Sequence, residues 1–145
     1  MFTLKDTGVP PFLKTAKTLY HGSAKLFAFL EPQPSSVLDN TNALFATPYR
    51  SVALLFAGQI WHGGDIELSM LDRKLFLKEL SKNSFTVLNR GGYVYSFQNK
   101  HFESDIRLTK FEAFTRNAIT NPHVQKIPNI LSELQASDEI TLVEY

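Results

Sequence analysis

The chain has 145 residues, 43% of them hydrophobic, with 15 Lys and Arg against 14 Asp and Glu for a formal charge of +1. That length suits one domain, which buries roughly 70% of the surface its unfolded chain exposes. A charge so near zero implies no field strong enough to hold a phosphate backbone, and the absence of cysteine excludes disulfides, thiolate nucleophiles and cysteine metal sites together.

Residues 1 to 17 hold Gly8, Pro10 and Pro11 among scattered polar residues. That composition disfavours a regular element and predicts an arm lying on one domain formed by residues 18 to 145. Met1-Phe2-Thr3-Leu4-Lys5-Asp6 lacks the apolar stretch of a signal peptide, and nowhere do eighteen apolar residues run together. The expectation is a cytoplasmic protein with no membrane contact.

Thr18-Leu19-Tyr20-His21 has strand character and stops at Gly22-Ser23, which puts the histidine where a loop begins. Glu31 to Asn42, rich in Pro, Ser and Asn, reads as a loop able to cover a cleft. Ala43-Leu44-Phe45-Ala46 then reads as a short buried strand. Thr47 follows as the N-cap and Pro48 as the first residue of a helix that Gly58 stops after Ala57. Within that helix Tyr49, Val52, Ala53 and Phe56 form one apolar stripe.

Beyond the helix the period changes to two. Ile66, Leu68 and Met70 alternate, as do Leu75 and Leu77, and Tyr93, Tyr95 and Phe97 after Gly91-Gly92. In the segment 111–116, Phe111 and Ala113 face one way while Glu112 and Phe114 face the other. Pro128 opens a short helix with Ile130, Leu131 and Leu134 in helical spacing, and Ile140 to Val143 closes as a strand. The fold class is α+β: split, mainly antiparallel sheets with a few short helices around one cleft.

Metal chemistry has little support, because His21, His62, His101 and His123 form no H-x-H or H-x-x-x-H pair. No G-x-S-x-G elbow, Walker loop or G-x-G-x-x-G is present either. His21 stands out, since a histidine at a strand end before a glycine can face a cleft while the Gly22 backbone lies open to a ligand. The structural alternative is a core-edge histidine and a glycine kept for its turn.

Leu19-Tyr20-His21-Gly22-Ser23, then Leu44-Phe45-Ala46 running into a helix with an early serine, then a late strand bearing a glutamate, resembles the ADP-ribosyltransferase fold. The branch is the one whose signature triad is His, Tyr and Glu. The resemblance spans about residues 18 to 120. It implies a domain that binds NAD between two small sheets and transfers ADP-ribose to an acceptor, protein or nucleic acid, releasing nicotinamide. It also implies roles. His21 would bond a ribose hydroxyl, Gly22 and Ser51 would hold the nicotinamide amide, and Tyr20 and Ser23 would flank them. Glu112 would stabilise the developing oxocarbenium ion.

One departure matters: Leu44 stands where the family's tyrosine would stack on nicotinamide. Phe56 or Tyr49 would have to supply that face, although both also fit a plain core stripe, and Glu112 also fits a solvated strand carboxylate. A second reading is therefore a non-catalytic module on the same fold, for a nucleotide, a modified side chain or a protein. RNA 2′-phosphotransferases share the Tyr-His-Gly opening. They need clustered arginines, whereas Lys25, Arg50, Arg73, Arg90, Arg107 and Arg116 are scattered here.

Overall fold

Period-two burial decides most of the strands. In Ile66–Leu71 the side chains of Ile66, Leu68 and Met70 are buried while Glu67 and Ser69 are half-buried, so one face meets the core and the other is partly wet. The computed structural model describes residues 2–5, 16–72, 74–105, 108 and 112–145. Within them lie β1 (Phe2–Lys5), β2 (Thr18–Ser23), β3 (Gln33–Ser35), β4 (Thr41–Ala46), helix α1 (Arg50–Ala57), β5 (Ile66–Leu71) and β6 (Lys74–Glu79). There follow β7 (Gly92–Gln98), β8 (Ala113–Thr115), β9 (His123–Ile127), helix α2 (Ile130–Gln135) and β10 (Ile140–Val143).

The strands form three sheets, ordered β1-β5-β6-β10, β2-β7-β9 and β3-β4-β8. Pairing is antiparallel except for β1 with β5 and β10 with β6, so the molecule is α+β and mainly antiparallel. The two three-stranded sheets meet at one bridge, where Tyr20 and Thr47 exchange N–H···O bonds of 2.8 and 2.9 Å. Among the described residues no helix is long and apolar enough to cross a membrane.

Helix α1 is buried from Ser51 through Leu55, as a helix wrapped on all sides must be. Val52, Leu54 and Leu55 share the main core with Ile66, Leu68, Leu75 and Leu77 of the first sheet and Ile130 and Leu134 of α2. Burying each such side chain contributes about 1.5–3 kcal/mol, so this cluster is the principal source of stability.

Several expectations are corrected here. Helix α1 begins at Arg50, with Tyr49 at the N-cap position and no side-chain cap from its own segment. Thr47 cannot cap it, because its backbone is still paired with Tyr20; its Oγ1 instead accepts the Tyr49 N–H at 3.1 Å. The free amide of Ser51 goes to a residue far along the chain, donating to Glu139 Oε1 at 2.8 Å. At the other end Gly58 is the C-cap, as its position suggests.

The amino-terminal segment read as an arm contains β1, added in parallel to β5 with Phe2 opposite Ile66; residues 6–15 lie outside the described residues. The loop read over Glu31 to Asn42 holds β3 and a 3-10 turn, Ser36–Leu38. Strand β8 is shorter than the predicted 111–116, and Phe111 lies outside the described residues. Strand β9 escapes a periodicity reading because His123 through Lys126 are all exposed.

Candidate functional site: a cavity where two strands part

The site begins with the glycine of β2. A Cβ at Gly22 would collide with the Ala53 carbonyl of α1 and lie 2.8 Å from the Ala57 amide, so glycine is required for the helix to cross the strand this closely. The expectation that glycine is needed chiefly to clear space for a ligand is corrected: the space goes to the helix. The edge of the same peptide has a different fate. Tyr20 turns its N–H and C=O toward β4, and antiparallel alternation turns those of Gly22 to the same edge, away from β7. The strands have parted by then, and neither group has a hydrogen-bond partner among the described residues.

His21 spans the gap. Its Nδ1 lies 2.7 Å from Phe45 O, and since a carbonyl only accepts, Nδ1 carries the proton. Burial pushes the His21 pKa below its ordinary value, partly offset by the bond to Phe45. The ring is thus neutral near pH 7 and its Nε2 is an acceptor. Among the described residues Nε2 makes no hydrogen bond, and no buried side-chain nitrogen or oxygen lacks a partner, so Nε2 is accessible.

The gap opens into a cavity of about 230 Å³ whose wall includes Tyr20, His21 and Gly22 of β2 and Phe45 and Ala46 of β4. Thr47, Phe56, Trp61 and Glu112 complete it. His21 and Glu112, far apart in sequence, therefore share one wall. Glu112 is half-buried. Phe56, also half-buried, meets Trp61 with ring centroids 6.0 Å apart. A larger cavity of about 730 Å³ lies under the segment from Phe27 to Ser36 and shares His21 and Phe45 with the first.

The remaining candidates lie elsewhere. Leu44 is 4% exposed, packs with Leu30 and Tyr95, and lines only the larger cavity. Its neighbour Phe45 lines both cavities, presents its backbone carbonyl to His21, and packs its side chain against Leu38, Ala43 and Phe114. Tyr49 is a core residue, with its hydroxyl 3.9 Å from Met70 Sδ. Ser51, 1% exposed, donates its hydroxyl to Glu139 Oε1 at 2.5 Å, so it is engaged in holding the helix start. Ser23 accepts the Lys25 N–H at 3.1 Å and lines neither cavity.

Phe45, Ala46 and Thr47 are wall residues from a stretch the sequence singled out without giving them a ligand contact, and Trp61 is the wall residue that sequence reasoning missed. For Trp61 the one signal was a lone tryptophan beside Gly63-Gly64 in a turn. No Lys or Arg lines either cavity among the described residues. Arg50 pairs with Glu133 at 2.9 Å, Arg90 donates to Gln59 at 2.9 Å, and Arg116 lies over the Phe114 ring. Arg73 and Arg107 lie outside the described residues. Among the described residues no group of three His, Asp or Glu could hold a metal. No protein-family model, no curated protein and no solved structure matches the chain.

Proposed function

We propose that this chain is an ADP-ribosyltransferase-like domain that binds NAD as a substrate in the cavity between β2 and β4 and transfers its ADP-ribose to an acceptor, releasing nicotinamide. The observation that carries the reading is the peptide edge of Gly22, which has no hydrogen-bond partner among the described residues and borders a cavity also lined by His21, Glu112 and aromatic residues. A carboxamide is the complement of such an edge: its oxygen accepts from the Gly22 N–H and its NH₂ donates to the Gly22 C=O. Phe45, Phe56 and Trp61 line the same cavity, and aromatic surface of that kind suits a flat heterocycle.

Size agrees with that assignment. A volume of about 230 Å³ is under the roughly 300–1,000 Å³ of a drug-sized site and suits one ring, while the larger cavity, which shares His21 and Phe45 with it as lining residues, has a volume suited to the rest of the nucleotide. The accessible Nε2 of neutral His21 accepts from a ribose hydroxyl. As the bond from ribose C1′ to the ring nitrogen breaks, its electron pair leaves with nicotinamide and positive charge develops on the sugar. The Glu112 carboxylate faces that charge and stabilises it. The acceptor's lone pair then bonds to C1′ and its proton passes to solvent.

A second reading, a non-catalytic module for a nucleotide, a modified side chain or a protein partner, is favoured by one feature of the larger cavity. Its described wall carries Glu31 and no Lys or Arg, so a pyrophosphate gains no ion pair there. Incubation with NAD separates the two. Free nicotinamide accumulating with time supports the transferase, whereas saturable binding without release supports the module.

A further inference from the structure

We propose that Tyr95 is a positioning residue: its hydroxyl holds the exposed span 24–29 in one path along the larger cavity, and so sets the affinity for the part of NAD beyond the nicotinamide. This deepens the NAD reading and, for the affinity, rests on it. Strand β7 places Tyr95 opposite His21 of β2, and the two rings lie 6.1 Å apart at 55°. Tyr95 is fully buried, packs with Leu30 and Leu44, and lines neither cavity itself. From that cluster its hydroxyl reaches two peptide groups of the span, accepting the Phe27 N–H at 2.6 Å and donating to Lys25 O at 3.0 Å. One hydroxyl thus acts as donor and acceptor to the same segment.

Little else fixes that span. Every residue from 24 to 29 is exposed, with Leu26, Phe27 and Phe29 at 61%, 46% and 47%, so burial of their side chains gives the segment small hold. Among the described residues none of its backbone groups pairs with another backbone group; besides the two bonds to Tyr95 there is the Lys25 N–H donated to Ser23 Oγ. The path is fixed again at Leu30, which is buried and exchanges two bonds of 2.9 Å with Ile119. Between these anchors Phe27, Ala28 and Phe29 line the larger cavity, and none of them lines the small one. A polar clasp, more than apolar packing, therefore decides the shape of this wall. Loss of the hydroxyl costs the fold little, because water can serve the peptide groups of an exposed span, but the span then samples many paths. A ligand that reaches the larger cavity must order the wall as it binds, whereas one confined to the small cavity need not.

Residue-resolved hydrogen exchange, with titrations of NAD and of nicotinamide, on the wild type and Tyr95→Phe tests the proposal. In the wild type the Phe27 amide is expected to exchange on the order of 10-fold more slowly than those of Leu26, Ala28 and Phe29, which have no partner among the described residues. Tyr95→Phe should bring Phe27 to the rate of its neighbours while the amides of β2 and β7 stay protected. Its NAD affinity should fall on the order of 3- to 30-fold with nicotinamide affinity unchanged, and KM for NAD should rise by a similar factor at constant kcat. Rapid exchange of Phe27 in the wild type, or equal protection in Tyr95→Phe, removes the clasp, and the wild-type rates decide this even where the variant fails to fold. A freed Phe27 with unchanged NAD affinity, or a parallel loss of nicotinamide affinity, overturns the positioning role while NAD binding stands. A wild type that binds no NAD overturns the NAD reading and the affinity role with it, and the exchange rates still decide whether Tyr95 holds the span.

Discussion

Strand β2 meets α1 across one face and β4 along one edge, and the two contacts are built in opposite ways. Against α1 there is no slack: Gly22 gives up its side chain so that helix and strand backbones touch, and a Cβ at Gly92 of β7 would likewise lie 2.9 Å from Ala57 O. Along β4 the contact is one bridge, after which the strands separate and leave peptide groups, an imidazole and aromatic residues lining a cavity. The same residue is thus a packing device on one side and a candidate ligand contact on the other. A close crossing leaves nothing to adjust, which is how it can hold the edges of an unfilled gap in place.

Substitutions on the closed side should act on stability. Gly22→Val drives a branched side chain into the Ala53 carbonyl, and the helix can retreat only by opening the main core. The expected loss exceeds about 3 kcal/mol, seen as failure to fold or a collapsed urea midpoint. A variant that unfolds like the wild type would mean that α1 does not cross β2 at Gly22. Glu139→Ala is a milder test of the same side, since it removes the carboxylate that accepts both the amide and the hydroxyl of Ser51. A loss of about 1–3 kcal/mol is expected, with ligand affinity unaltered because neither residue lines the cavity.

The smallest effect concerns His21, on the open side. Its pKa is depressed in the folded state, so below the ordinary value of 6.5 the unfolded chain binds more protons than the folded one. The contribution to stability is complete above that value and declines as pH falls toward the depressed one. Thermal unfolding between pH 7.5 and 5 should show a modest downward slope that His21→Gln flattens. An identical slope in that variant would assign the decline to other groups.

The strands around the site were legible in the sequence because each combines a local apolar pattern with a turn residue, as Thr18–Ser23 and Gly92–Gln98 do. That Tyr20, His21 and Gly22 share a cavity wall with the distant Glu112 was expected from the same signals together with the resemblance. What escaped was settled by contacts between distant segments. Whether Leu44 or Phe45 lines the small cavity depends on which face of β4 meets Leu30 and Tyr95, and period-two alternation alone does not choose between them. Ser51 looks free until Glu139 arrives from the other end of the chain. The space beside Gly22 is filled by a helix whose crossing point no local pattern encodes.

The most direct test of the account is Glu112→Gln, with nicotinamide release from NAD and NAD affinity measured on the same preparation. The change keeps the shape of the side chain and removes its charge. Release is expected to fall on the order of 10²-fold or more with affinity little altered, as when other groups that stabilise transition-state charge are lost. Release at the wild-type rate would contradict the assignment of Glu112 as the catalytic carboxylate, and with it the claim that the parted strands form a reactive site.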